Sequence, residues 1–225
     1  MTKNYHKIKG IIFDLDGVLC DSEEFIASAA VEMFRQRYNT SVDSKHFKQF
    51  IGAGESKFLS GVGEIYGLQV KLPDDKNHTY DIYLKMIENQ LSPLEGVGAF
   101  IKFARSKGLK LAIASAADRI KVEGNLKQIG FPAETFDAIV SGCDVANNKP
   151  APDIFLKAAE KLSLNASDCM VVEDALNGVI AAKSAGAFSL GISTSFTGQE
   201  LLQIGADWTA PNLGLIPTDM LNKIF

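Results

Sequence analysis

An α/β protein built on a doubly wound parallel sheet, interrupted near its start by an inserted helical bundle, is predicted by three features of the chain. The apolar run Ile11-Ile12-Phe13-Asp14-Leu15-Asp16-Gly17-Val18 reads as a buried strand. Residues 21–91 then change to helical spacing. From Pro93 onward strand-like and helix-like segments alternate, and alternation of that kind implies parallel strands covered by helices on both faces.

Taken in order, the opening strand carries two carboxylates one residue apart. Strand side chains repeat every two residues, so if extended backbone persists to Asp16, both acids leave it on the same side. Like charges that close are costly unless a divalent cation, or a proton held by one of them, relieves the repulsion. Two solvated aspartates at a strand end are the alternative. The insert opens on Asp21 with Glu24, a capping-box pattern, ahead of Phe25, Ile26, Ala29, Ala30, Met33 and Phe34. Three more amphipathic pieces follow: Phe47, Phe50 and Ile51; Phe58, Leu59, Val62, Ile65 and Tyr66; Tyr80, Tyr83, Leu84 and Ile87. Gly52-Ala53-Gly54 and Leu72-Pro73-Asp74-Asp75 read as turns between them. The expectation is a four-helix unit at 21–91, set into a sheet-bearing core of 1–20 and 92–225. Core strands are expected at 109–115, 138–141, 170–173, 188–192 and 207–210, and helices at 96–107, 119–129, 153–162 and 175–185. Several helices should stop near a glycine, at Gly108, Gly130 and Gly186.

Composition narrows the function. With 225 residues, 46% of them hydrophobic, the chain can fill a sizeable core. A net charge of -4 without a basic block lacks the electrostatic footprint of a nucleic-acid binder. The polar, basic start leads into an apolar strand too short for a signal sequence, and no apolar span approaches ~20 residues. A cytoplasmic monomer with no membrane partner is expected. Cys20, Cys143 and Cys169 are odd in number and far apart, which suits free thiols in a reducing compartment. They lack zinc-site spacing, and His6, His46 and His78 are too scattered for a histidine-based triad.

In a doubly wound sheet, ligands bind beyond the carboxyl ends of the strands. Those positions carry Asp14 and Asp16; Ser115 in Ser115-Ala116-Ala117-Asp118; Lys149-Pro150 after a loop; and Glu173-Asp174. Each has a plain structural alternative: Ser115 or the Glu173-Asp174 pair as helix caps, Lys149 as a solvated loop lysine. Their joint occurrence supplies carboxylates, a hydroxyl beside helix-start N–H groups, and a lysine. Those are the parts needed to hold Mg²⁺ beside a phosphate.

In order and spacing these residues resemble the four motifs of the haloacid dehalogenase superfamily, and most of all its β-phosphoglucomutase-like group. The matching segments are Asp14-Leu15-Asp16-Gly17-Val18, Ser115 in Ala112-Ile113-Ala114-Ser115-Ala116, Lys149 in Asn148-Lys149-Pro150, and Val172-Glu173-Asp174-Ala175-Leu176-Asn177-Gly178. The resemblance spans essentially the whole chain. It implies a Rossmann-like core with a helical cap, and a Mg²⁺-dependent phosphatase acting on a small phosphorylated metabolite such as a sugar phosphate or phosphoglycolate. By similarity Asp14 is the nucleophile and Asp16 the general acid, then base. Ser115, the Ala116 N–H and Lys149 hold the phosphoryl group. Asp14, the Asp16 carbonyl, Glu173 and Asp174 surround Mg²⁺. A cis Lys149-Pro150 bond is expected on the same ground.

Within the superfamily, dehalogenases lack an acid at the position of Asp16, so this residue points to phosphoryl transfer. The mutase pattern has a histidine where this chain has Ile26 and a cap-loop arginine where it has Glu55, which favours hydrolysis. Lys57 is a candidate replacement for the arginine and keeps a phosphohexomutase as the alternative. Gly52, Glu55 and Lys57 are the expected substrate-selecting residues of the cap. A non-catalytic phospho-acceptor module is a third reading, against which Asp16 and the cap argue.

Overall fold

A computed structural model describes residues 6–50 and 54–225. Strand β1 (Gly10–Phe13) is followed by α1 (Glu23–Tyr38), a 3-10 segment (Ser44–Phe50), α2 (Glu55–Ile65) and α3 (Asp74–Met86). After α4 (Val97–Ser106) the alternation begins: β2 (Lys110–Ala114), α5 (Arg119–Gln128), β3 (Ala138–Val140), α6 (Asp153–Lys161), β4 (Cys169–Glu173) and α7 (Leu176–Ser184). It continues through β5 (Phe188–Ile192), α8 (Gly198–Gln203), β6 (Trp208–Ala210) and α9 (Thr218–Ile224). The strands form one parallel sheet in the order β3-β2-β1-β4-β5-β6, the expected α/β architecture. Strand order reverses beside β1, between β2 and β4, and this is where such sheets open a ligand crevice. Phe13 is in register with both Ile113 and Val172, so the residues that follow, Asp14, Ala114 and Glu173, emerge side by side.

Alternation along the strands fills two cores. Ile11, Phe13, Leu111, Ile113, Met170 and Val172 belong to one cluster; Ile12, Ala112, Ala114 and Val171 belong to the other, where alanines leave room for Ile154, Phe155 and Ala158 of α6. A fully buried Ile or Phe stabilises by about 1.5–3 kcal/mol relative to exposure, and Phe13 adds an edge-on contact with Phe100 at 6.1 Å between ring centroids. Helices α4, α5 and α7 stop where expected, with Gly108, Gly130 and Gly186 at φ 72°, 79° and 79°.

Three local expectations are corrected. Strand β1 ends at Phe13; its ladder extends through the Asp14 N–H to the Val172 carbonyl at 2.9 Å, and then Gly17 at φ 75° folds the chain, leaving Asp16 in a loop. The Phe47–Phe50 piece is 3-10 rather than α-helical. An Asx turn, with the Lys45 N–H donating to Asp43 Oδ1 at 2.9 Å, tightens its entry. Ile51, Gly52 and Ala53, parts of an expected helix and turn, lie outside the described residues. Finally, α1 has Ser22 rather than Asp21 at its N-cap, and the side chain caps nothing because its hydroxyl donates to Asp16.

Helix α3, from the segment between β1 and β2, packs against α5. A Cβ on Gly124 would lie 2.4 Å from Leu84 Cδ2, so a larger residue there would have to displace that side chain. Lys76 also bonds Asp118 at 2.6 Å across this boundary. Among the described residues no helix is long and apolar enough to cross a membrane.

Candidate active site

The ends of β1 and β4 bring Asp14, Glu173 and Asp174 together, all buried, with one oxygen of each within 4.8 Å of the others. Lys149, from the loop between β3 and α6, enters this cluster. Its ammonium donates to Asp14 Oδ1 and Glu173 Oε1 at 2.6 Å each and to the Ala114 carbonyl at 3.2 Å. The Lys149-Pro150 bond is cis, as expected. Glu173 uses its other oxygen to accept the N–H groups of Asp174 and Ala175, both at 2.9 Å; both precede the first residue of α7, which has no side-chain cap, so the helix-capping alternative for Glu173-Asp174 is not what the structure shows.

Electrostatics follow from burial. Three carboxylates and one ammonium leave the cluster with excess negative charge. Burial, reinforced by Glu173 and Asp16, pushes the Asp14 carboxyl above its ordinary range even though Lys149 opposes the shift. Burial, Glu173 and Asp14 do the same to Asp174. Burial alone would lower the Lys149 ammonium, but Asp14 and Glu173 outweigh it and hold the charge in place.

Glycines make the close approach possible. A Cβ on Gly17 would sit 1.9 Å from Asp174 Oδ2, and one on Gly178 would sit 1.9 Å from the Glu173 carboxyl. Ser115, buried just past β2, accepts the Ala117 N–H at 3.2 Å and therefore does not cap α5, whose N-cap is Asp118.

Several residues around the acids were not singled out by the sequence. Ser195 donates to Asp174 Oδ2, and Thr194 donates to the Gly17 carbonyl at 2.6 Å. The stretch after β5 thus reaches the cluster. Asp16 is held by Lys121 Nζ at 2.5 Å on Oδ2 and by the Ser22 hydroxyl on Oδ1. Asn125 in turn donates to Ser22 Oγ at 3.1 Å and accepts from the Tyr83 hydroxyl. Lys121 and Asn125 lie one turn apart on α5, a spacing that places both on one face.

The expected cap residues separate. Glu55 faces inward, with Oε1 4.0 Å from Lys121 Nζ; burial pushes its carboxyl up, Lys121 opposes this, and Asp118 adds to it. Its Oε2 is buried without a hydrogen-bond partner among the described residues, and the nearby Tyr80 hydroxyl faces Glu55 and Asp118 without closing a well-formed bond to either. Lys57 is exposed instead, its ammonium 5.9 Å from the Phe50 ring centroid. Gly52 lies outside the described residues.

A family model for haloacid dehalogenase-like hydrolases matches residues 8–186, a span that contains every acid of the cluster, Ser115 and Lys149. The chain belongs to that family. Its relatives include the Arabidopsis thaliana protein SUPPRESSOR OF QUENCHING 1, chloroplastic, 39% identical over 96% of this chain. The chain spans only 21% of the length of that plant protein. A phosphoglycolate phosphatase of Neisseria gonorrhoeae is 30% identical, with 93% of this chain and 91% of that protein covered. Among solved structures, CbbY from Rhodobacter sphaeroides in complex with phosphate superposes with a TM-score of 0.82 at 26% identity, covering 92% of this chain and 95% of that one.

Proposed function

We propose that the chain is a Mg²⁺-dependent phosphatase of a small phosphorylated metabolite, a sugar phosphate or a phosphoglycolate-like ester, working through an aspartyl-phosphate. The observation that carries this reading is the buried cluster at the ends of β1 and β4, where Lys149 joins Asp14 to Glu173 beside Asp174. Family membership and the phosphatase among the relatives support it.

Each residue has a task. An Asp14 carboxylate oxygen attacks phosphorus as the bond to the ester oxygen breaks, and the departing alkoxide takes a proton from Asp16. Asp16, now ionised, takes a proton from water as that water attacks phosphorus and the bond to Asp14 breaks. Ser115 and the Ala116 N–H hold phosphoryl oxygens, and Lys149 offsets charge on Asp14 and on the phosphate. Residues 21–91 act as a cap that keeps bulk water from the reaction.

The cluster fits a hard divalent cation. Its donors are all carboxylate oxygens, gathered closely enough to repel one another, and a Cβ at Gly17 would intrude on Asp174. Asp14, Glu173, Asp174 and the Asp16 carbonyl would hold Mg²⁺. When bound, Mg²⁺ supplies positive charge that stabilises the phosphoryl oxygens as they accept charge.

Glu55 and Ile26 favour hydrolysis over phosphohexose isomerisation, because a second phosphate near Lys121 would meet the Glu55 carboxylate. Incubation with sugar phosphates and phosphoglycolate should release inorganic phosphate only when Mg²⁺ is present, and Asp14→Asn should lose essentially all of it. An isomer formed faster than free phosphate would replace this reading with the mutase; full activity in Asp14→Asn would remove the nucleophile.

A further inference from the structure

We propose that Lys121 is a positioning residue for Asp16, anchored from the insert by Glu55. The inference rests on the reading of Asp16 as the leaving-group acid. The Lys121 side chain is only 5% exposed, and a buried lysine is costly unless its charge is matched. Its ammonium sits between two carboxylates, 2.5 Å from Asp16 Oδ2 and 4.0 Å from Glu55 Oε1, with the Tyr83 ring centroid at 6.0 Å. Ser22 donates to the other Asp16 oxygen, so the plane of that carboxylate is fixed from both sides. Every group that fixes it comes from α5, from the start of α1, or from the insert helices α2 and α3; none belongs to the Asp14, Glu173 and Asp174 cluster. Asp16 is therefore oriented by a separate device that spans core and insert. An acid left to rotate would seldom lie in line with the leaving oxygen, and misplacement on the scale of 1 Å costs roughly 10²-fold in rate.

The test compares kcat/KM for an alkyl phosphate, whose alkoxide must be protonated to leave, with p-nitrophenyl phosphate, whose phenolate leaves unaided. Both values report the steps through phosphorylation of Asp14. Lys121→Met should lower the alkyl value on the order of 100-fold and the aryl value at least ten times less, so the alkyl-to-aryl ratio collapses. Glu55→Gln should move the ratio in the same direction by a smaller factor. Equal losses on the two esters would show a merely structural lysine and overturn the proposal, as would an unchanged ratio in a folded variant. If Lys121→Met does not fold, Ser22→Ala, which removes the donor to the other Asp16 oxygen, carries the same comparison. Wild-type protein that turns over neither ester would instead overturn the phosphatase reading itself.

Discussion

Lys149→Met removes the only ammonium bonded to Asp14 and Glu173 among the described residues, and its cost can be worked from the geometry. Both bonds are 2.6 Å long and the lysine side chain is 8% exposed, so water screens them weakly. Removing one partner of a buried pair costs about 3–5 kcal/mol, chiefly because the charge left behind has no match. The two pairs share one cation and do not add. For a chain of this length each kcal/mol lowers Tm by about 2–4 °C, so a loss of about 4 kcal/mol predicts a Tm lower by about 8–16 °C in metal-free protein. The loss should also depend on pH. Asp14 and Asp174 keep protons in the folded chain at pH values where the unfolded chain has lost them, so their contribution to stability falls as pH rises from about 4 to about 8. Without Lys149, which opposes the rise in Asp14, that loss continues to higher pH. Thermal denaturation in chelator at pH 5 and pH 8 measures both effects: the deficit of Lys149→Met against wild type should be larger at pH 8, where Asp14 has lost its proton, than at pH 5. A shift equivalent to less than about 1 kcal/mol at pH 8, the size of an exposed pair, would refute the buried ion cluster.

Gly17→Ala places a methyl 1.9 Å from Asp174 Oδ2 on a backbone at φ 75°, and should lower turnover at least tenfold while raising the Mg²⁺ concentration needed for half-maximal rate. Ser195→Ala removes a donor to Asp174 Oδ2 and should weaken apparent Mg²⁺ affinity by about 10–100-fold, read by titrating Mg²⁺ against phosphate release. Adding Mg²⁺ to chelator-treated protein should raise Tm more at pH 8 than at pH 5, because proton loss from Asp14 and Asp174 would free the carboxylates proposed to hold the cation.

The parts of this molecule that follow a short period were legible in its sequence. Asp14 and Glu173 close runs of buried strand, and a parallel register then sets them side by side without further information. The orientation of Asp16 was not legible. In α5 the buried residues are Lys121, Val122, Asn125 and Leu126, a core-facing spacing in which two of the four are polar. A periodicity that counts lysine and asparagine as solvated hides that face, and only the placement of the insert shows what they bind. Ser22 was hidden in the same way, since a serine before a helix reads as a cap until a nearby carboxylate takes its hydroxyl. Ser195 lies in a loop with no periodicity at all, and its bond to Asp174 depends on how β5 is placed beside β4.

The aspartyl-phosphate can be sought directly. Enzyme mixed with a ³²P-labelled phosphate ester and Mg²⁺, quenched in acid within one turnover, should carry label on the peptide containing Asp14, and Asp14→Asn should carry none. Phosphate released at full rate with no label on that peptide, or label retained in Asp14→Asn, would contradict nucleophilic attack by Asp14.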